Sequence, residues 1–321
     1  MSAAGLRVAV VIPCWNEAVA IRAVVRDFRA ALPDASIFVY DNNSTDGTAA
    51  IAHDAGAEVR RERLQGNGHV VRRAFADIDA DFYLLVDGDD TYEAAAAPAL
   101  LRLLVDERLD MVVGLRVGDI VARRGHRLGN LVLTAVVRLI FGNRISDLLS
   151  GYRVFSRRFV KSFPALADGF ETETEFTVHA LELDMAIGEV PTRYRSRPTG
   201  SVSKLRTVSD GLRIIRTIFV LVKDQRPLLF FTACGAVLLL LGLGLGFPLV
   251  TEFLRTGLVP RFPTAILATG IVVLSFLAFA AGLILDSVAR GRKEMKRIAY
   301  LAIPTRTLSQ PAVTGPANGQ A

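Results

Sequence analysis

Two long uncharged runs constrain this chain more than any other feature of its 321 residues. Leu228–Val250 (LLFFTACGAVLLLLGLGLGFPLV) and Thr264–Leu285 (TAILATGIVVLSFLAFAAGLIL) contain no charged side chain. A bilayer core needs about 20 apolar residues in a helix. Each run is therefore predicted to cross a membrane, and the short link between them makes the pair a hairpin. Basic flanks set its sense. Lys204, Arg206, Arg213, Arg216, Lys223 and Arg226 precede the first run, and Arg290, Arg292, Lys293, Lys296 and Arg297 follow the second. The link holds only Glu252, Arg255 and Arg261. Flanks rich in Lys and Arg stay in the cytoplasm, so the expectation is a multi-pass protein of the cell membrane with both termini cytoplasmic. Leu6–Ile12 is too short for a signal peptide and leads straight into a polar motif.

The formal net charge is +6. Because the basic residues cluster beside the spans, anionic membrane lipid is the expected partner and nucleic acid is not. Leu205–Val222 carries Leu205, Val208, Leu212, Ile215, Phe219 and Val222 at helical spacing with basic residues between. It reads as a membrane-surface helix or as a helix facing a core. Cys14 and Cys234 lie in separate regions, which fits a reducing compartment and excludes a disulfide framework or a zinc spacing. The four histidines are not spaced as ligands. The expected division is a catalytic domain over 1–204, the juxtamembrane helix over 205–227, the hairpin over 228–303 and a disordered tail over 304–321.

Upstream of the spans, short apolar runs alternate with helical patterns. Leu6–Ile12, Ile37–Tyr40, Ala57–Arg60, Phe82–Val86 and Met111–Gly114 read as strands. Ala18–Leu32, Thr48–Ala55, a segment from Gly66 to Ile78, and Ala94–Val105 read as helices. This alternation implies βαβ units and an α/β domain with a mostly parallel sheet. Further on, Arg127–Phe141 reads as an amphipathic helix, and Gly151–Phe155 and Ala186–Arg195 as strands.

Asp87-Gly88-Asp89 follows the Phe82–Val86 strand. Open α/β sheets bind ligands at the C-terminal ends of their strands, and residues i and i+2 of an extended segment share a face. Asp87 and Asp89 can thus converge on one hard cation, Mg²⁺ or Mn²⁺, that keeps positions for phosphate oxygens. At the end of the first strand, Pro13, Trp15 and Glu17 offer a ring for stacking on a base and a carboxylate for a ribose or base edge. Asp41, ending the second strand, can accept hydrogen bonds from uracil or guanine. Asn43, Ser44, Asp46 and Gly47 suit a loop leading into a helix. Gly66-Asn67-Gly68 before a helix can bring N–H groups to a phosphate.

The order Pro-x-x-Asn-Glu, Asp-Asn-Asn-Ser-Thr-Asp-Gly-Thr, Gly-x-Gly, Asp-Gly-Asp resembles the family 2 glycosyltransferases of GT-A fold. The two spans narrow the resemblance to the polyprenyl-phosphate glycosyltransferases, of which the dolichyl-phosphate mannosyltransferases are the best known. The resemblance implies a donor-nucleotide site at Pro13, Trp15, Glu17, Asp41 and Asn43, with Gly66 beside it. It places Asp87 near the ribose and metal and makes Asp89 a direct metal ligand. It implies that Arg116 and Arg127 hold the acceptor phosphate, a task suited to the planar guanidinium fork. Asp147-Leu148-Leu149-Ser150-Gly151-Tyr152-Arg153 resembles the family's Asp-x-x-Ser-Gly-Tyr/Phe-Arg segment, where Asp147 orients sugar hydroxyls or an arginine. Arg153 is left between a sugar-site and a fold-stabilising role. Glu173 can favour a helix N-terminus or reach the donor sugar. Arg197-Pro198-Thr199-Gly200-Ser201-Val202-Ser203-Lys204 resembles Arg-x-x-Gly-x-Ser-Lys, a loop in which Arg197 and Lys204 clamp the nucleotide diphosphate.

The mannosyltransferase pattern has Asp-Ala-Asp followed by Leu-Gln, whereas Asp-Gly-Asp followed by Thr-Tyr resembles relatives that use UDP-sugars. The expected activity is inverting transfer of one sugar from a nucleotide sugar, with a UDP-sugar favoured, to polyprenyl phosphate. Relatives with two spans can also form homo-oligomers. The alternatives are a membrane-anchored transferase with another lipid or protein acceptor, and a non-catalytic nucleotide-sugar binding protein. A processive synthase is disfavoured because Trp15, the sole tryptophan, is not in a Gln-x-x-Arg-Trp motif.

Overall fold

The apolar run at the N-terminus becomes the middle of a sheet because both of its faces can be buried. In the computed structural model, which describes residues 6–117, 135, 137–138, 145–166, 171–198, 219–220 and 222–304, β1 (Val8–Cys14) pairs in parallel with β2 (Ser36–Asp41) on one side and β4 (Phe82–Leu85) on the other. β3 (Glu58–Arg61) lies outside β2. β5 (Met111–Val117), β6 (Arg153–Ser156) and β7 (Ile187–Arg193) complete a seven-stranded sheet of order β3-β2-β1-β4-β6-β5-β7. Only β6 runs against its neighbours, pairing antiparallel with both β4 and β5. β7 is an edge strand and so tolerates Pro191.

Helices α1 (Ile21–Ala31), α2 (Thr48–Asp54), α3 (Asn67–Asp77) and α4 (Ala97–Asp106) connect the strands, a 3₁₀ turn at Ala94–Ala96 leading into α4. Two more follow, α5 (Arg157–Ser162), which the sequence did not disclose, and α6 (Thr172–Glu182). α5 is capped by the Ser156 hydroxyl, which accepts from the Phe159 N–H. Val10, Ile12, Val25, Phe28, Val39, Leu84, Leu100 and Val154 form the core against α1 and α4. Phe155, Phe159, Phe163 and Phe176 stack into an aromatic cluster with Phe75. The parallel sheet places the ends of β1, β2, β4 and β5 on one edge, where the acidic motif lies.

The chain divides into two compact units. The first comprises residues 1–123, 143–204 and 297–321, and the second 124–142 and 205–296. The second contains α7 (Pro227–Thr256) and most of α8 (Phe262–Leu301), both long and apolar enough to cross a membrane. α7 ends at Gly257, in the left-handed region at φ 70°, whose N–H caps the Phe253 carbonyl. α8 continues 16 residues past the Leu285 boundary read from sequence, because its charged segment is still helical and carries the Asp286–Arg290 pair. At its end, within the first unit, Tyr300 donates to Asp110 at 2.9 Å and Arg297 pairs with Asp184. Most of the helix read over 127–141, most of the amphipathic segment 205–222 and the tail from residue 305 on lie outside the described residues.

Candidate active site

Hydrogen bonds between the loops after β1 and β2 fix the first wall. Asn16 takes a left-handed φ of 53°. Its N–H donates to Ser44 Oγ and its side-chain oxygen accepts from the Thr45 N–H, at 2.9 and 2.8 Å. The Glu17 N–H donates to Thr48 Oγ1, and the Thr48 hydroxyl donates to Asp46. Helix α2 starts after Gly47, whose φ of 87° explains the glycine. These bonds hold Glu17 and Asp41 buried and leave Trp15 41% exposed. Pro13 lies in β1 opposite Tyr40, and Asp41 accepts from the Ser44 N–H.

Asn43 and Gly66 are engaged locally. Asn43, at φ 66°, donates its amide to the Arg63 carbonyl, and the Gly66 N–H donates to Asn42 Oδ1 at 2.7 Å. Asn42 also spans to the Glu62 and Leu64 carbonyls, so it joins the β2 loop to the segment entering α3. The Gly66 N–H, one of the groups available to a phosphate on sequence grounds, is thus already used.

The acidic turn is seated by close contacts. Gly151 lies so near Asp87 that a Cβ there would stand 2.5 Å from Asp87 Oδ2. The Gly151 N–H donates to the buried Tyr92 hydroxyl at 2.9 Å. Asp89 Oδ1 accepts from the Thr91 hydroxyl at 2.6 Å. Past β7, Tyr194 bridges antiparallel to Tyr92 and the Arg195 N–H donates to the Thr91 carbonyl. This crossing delivers Arg197 to the turn. Its Nη2 is 2.7 Å from Asp89 Oδ2 and its Nη1 is 3.5 Å from Glu17 Oε1. Burial, then the Asp89 and Glu173 carboxylates, push Asp87 well above the usual carboxylate range, with Arg197 and Arg116 opposing.

Arg116 forms a two-pronged pair with Asp147, Nε to Oδ2 at 2.7 Å and Nη2 to Oδ1 at 2.8 Å. Its guanidinium lies over the Tyr194 ring, and its Nη1 takes no part in the pair. Burial opposes the charge of Asp147, but Arg116 prevails and holds its carboxyl below the ordinary value. Arg153 is fully buried and donates to the Ser150 and Leu148 carbonyls and to Thr177 Oγ1, at 2.9, 2.7 and 2.9 Å. It thereby holds the Asp147–Gly151 loop, the fold-stabilising role of the two that the sequence left open. Glu173 is buried and accepts from Asn67 Nδ2 at 3.0 Å, linking α6 to the start of α3.

Asp87, Asp89, Glu17, Arg197, Arg116 and Asp147 therefore belong to one charged network on the sheet edge. Arg127 and Lys204 lie outside the described residues. Among the described residues no three His, Cys, Asp or Glu side chains form a metal cage.

Residues 9–163 match the family model described as glycosyl transferase family 2. The chain is 34% identical over 300 residues to glycosyltransferase AglJ of Haloferax volcanii, an alignment covering 92% of this chain and 98% of that protein. The chain belongs to the family 2 glycosyltransferases. A dolichyl-phosphate hexose transferase of the same organism is 27% identical over 220 residues, covering 68% of this chain and 95% of that protein. Among solved structures, glucosyl-3-phosphoglycerate synthase from Mycobacterium tuberculosis in complex with Mn²⁺ and UDP-glucose aligns with TM-score 0.56 and 25% identity, covering 69% of this chain and 79% of that one. The fold is the mostly parallel GT-A type that the motif order implied, followed by two apolar helices.

Family motifs led to the carboxylates and arginines of this glycosyltransferase. They did not lead to the structural roles of Asn42, Asn67, Tyr92 or Tyr194, which bond or pack against the motif segments. Asn42 had a signal in the Asp-Asn-Asn run, Asn67 in Gly-Asn-Gly and Tyr92 in the Thr-Tyr after the acidic pair; Tyr194 had none.

Proposed function

We propose that the protein transfers a single sugar, with inversion, from a nucleotide sugar to polyprenyl phosphate at the cytoplasmic face of the membrane. The observation that carries this is the network Asp87–Asp89–Arg197–Glu17 at the ends of β1 and β4, beside the Arg116–Asp147 pair. A UDP-sugar is favoured because the M. tuberculosis synthase at 25% identity was solved with UDP and with UDP-glucose. The dolichyl-phosphate hexose transferase relative and the two apolar helices support a lipid phosphate acceptor.

In this reading Trp15 stacks on the base, and Glu17 and Asp41 accept from ribose and base. Pro13 fixes the start of their loop. Asn43 and Gly66 act through the loops they hold. The surplus negative charge around Asp87 and the oxygen-only donor set suit Mg²⁺ or Mn²⁺ on Asp87 and Asp89, with diphosphate oxygens supplying further ligands. When bound, the metal would neutralise charge on the leaving diphosphate. Arg197, and with it Lys204, binds diphosphate oxygens. Arg116, oriented by Asp147, and Arg127 hold the acceptor phosphate in line with the anomeric carbon. A phosphomonoester is already ionised near neutral pH, so its oxygen attacks without a general base.

The test is a donor screen on detergent-solubilised protein with Mn²⁺ and undecaprenyl phosphate. Radiolabelled UDP-glucose, UDP-N-acetylglucosamine, UDP-galactose and GDP-mannose are compared by label moving into organic solvent. Label from one UDP-sugar is the expected result. Label from GDP-mannose alone would overturn the UDP assignment. Nucleotide binding with no label from any donor would favour another acceptor or a binding protein.

A further inference from the structure

Gly88 separates the two carboxylates of the acidic turn, and the sequence offered it as a sign of donor type. The structure gives it another cause. A Cβ built on Gly88 would stand 2.5 Å from Cys14 Sγ, while the next nearest atoms, Ile12 Cγ2 and the Pro13 carbonyl oxygen, are both at 3.4 Å. A Cβ at position 88 therefore meets one atom too closely, and either that sulfur or the turn must shift. Cys14 is poorly placed to yield. It ends β1, is 3% exposed, lies opposite Asp41 in register, and its carbonyl accepts from the Asn42 N–H at 2.8 Å. The turn is confined on its other side too, where Gly151 abuts Asp87.

We propose that Cys14 is a positioning residue. Its sulfur sets the seat of the turn carrying Asp87 and Asp89, and residue 88 is glycine because of that sulfur and not because of the donor nucleotide. This inference rests on the donor-site reading above. It recasts the contrast between Asp-Gly-Asp and Asp-Ala-Asp as a packing relation between positions 88 and 14. An alanine at 88 must displace either the thiol or the turn, and displacement of the turn moves both carboxylates. Deleting Sγ removes the obstruction.

The experiment compares the full-length wild type with Gly88→Ala, Cys14→Ala and the double variant. Mn²⁺-dependent UDP and GDP binding is measured by calorimetry, and urea unfolding is followed in parallel. Gly88→Ala is expected to weaken Mn²⁺-dependent UDP binding by about tenfold or more, as for a small misplacement of positioned groups. The double variant should return to within about threefold of wild type, the signature of coupled neighbours. The preference for UDP over GDP should be the same in wild type and double variant. A purely structural pair would change the urea midpoint and leave the affinity of the folded protein alone, which would overturn the proposal. So would wild-type affinity in Gly88→Ala, no recovery in the double variant, or a shift toward GDP once the turn reads Asp-Ala-Asp. Wild-type protein that binds neither nucleotide would instead bring down the donor-site reading, and this inference with it.

Discussion

Arg153 and Asp89 show how differently two motif residues can depend on their surroundings. Arg153 is fully buried and donates to two carbonyls and one hydroxyl, and burial lowers its proton affinity to about 10. Lysine keeps the charge but cannot reach three acceptors in a plane. Arg153→Lys is expected to destabilise the protein by about 2–3 kcal/mol, since hydrogen bonds from a charged donor are lost inside the core. A urea midpoint within error of wild type would show that the loop does not hang on this guanidinium. Asp89→Asn should leave the fold intact by circular dichroism and lower turnover by about a hundredfold or more, the scale on which removal of one electrostatic group acts. Undiminished turnover in that variant would sink the metal assignment. Asp89 was legible as a candidate site residue because two carboxylates after an apolar run are costly without a cation. The role of Arg153 was not, because only burial and acceptor positions separate a staple from a ligand.

Among elements, the strands and their mostly parallel arrangement were legible, and the reversal of β6 was not. Val154 and Phe155 look like any short apolar run, yet β6 returns between β4 and β5 and pairs antiparallel with both. Local period carries no record of that return. α5 was missed because six residues are too few to show a helical period. The two apolar helices were plain from composition, but their contact seam was not. Gly235 and Gly242 on α7 meet Ser275 and Ala268 on α8, Gly282 on α8 meets Leu228 and Phe231 on α7, and Ser275 donates to the Gly235 carbonyl at 2.9 Å; within each helix these small residues are seven apart. Small residues at such spacing let helices approach closely in lipid. A Cβ at Gly242 would stand 2.7 Å from Val272 Cγ2, whereas Gly244 faces open space. Gly242→Leu is therefore expected to lower the melting temperature in detergent, with Gly244→Leu as a near-neutral control. Equal effects of the two would place the helix contact elsewhere.

For the whole molecule, the buried carboxylates tie stability to pH. Burial raises Glu173 from its ordinary 4.5 to about 7. The folded protein holds this proton more tightly than the unfolded chain does, so the stabilisation is complete below pH ~4.5 and is lost as the pH rises through ~7. Metal-free protein should melt at a lower temperature at pH 8 than at pH 6 through this group, and Glu173→Gln should flatten that slope. A slope unchanged by the substitution would assign the titration to other groups. Arg197 governs a second dependence on conditions. The cation beside Asp89 is a tethered one, the Arg197 guanidinium at 2.7 Å. Entry of a divalent ion on Asp89, as proposed above, would be an exchange, not an addition: the guanidinium would give up Asp89 as the ion arrives, and a diphosphate would take the place of that carboxylate beside it. The site would then behave as an ion exchanger whose counterion cannot diffuse away. Ion and nucleotide should thus bind with strong mutual dependence: Mn²⁺ counted by electron paramagnetic resonance should bind weakly alone and tightly with UDP, and Arg197→Gln should narrow that gap from both ends.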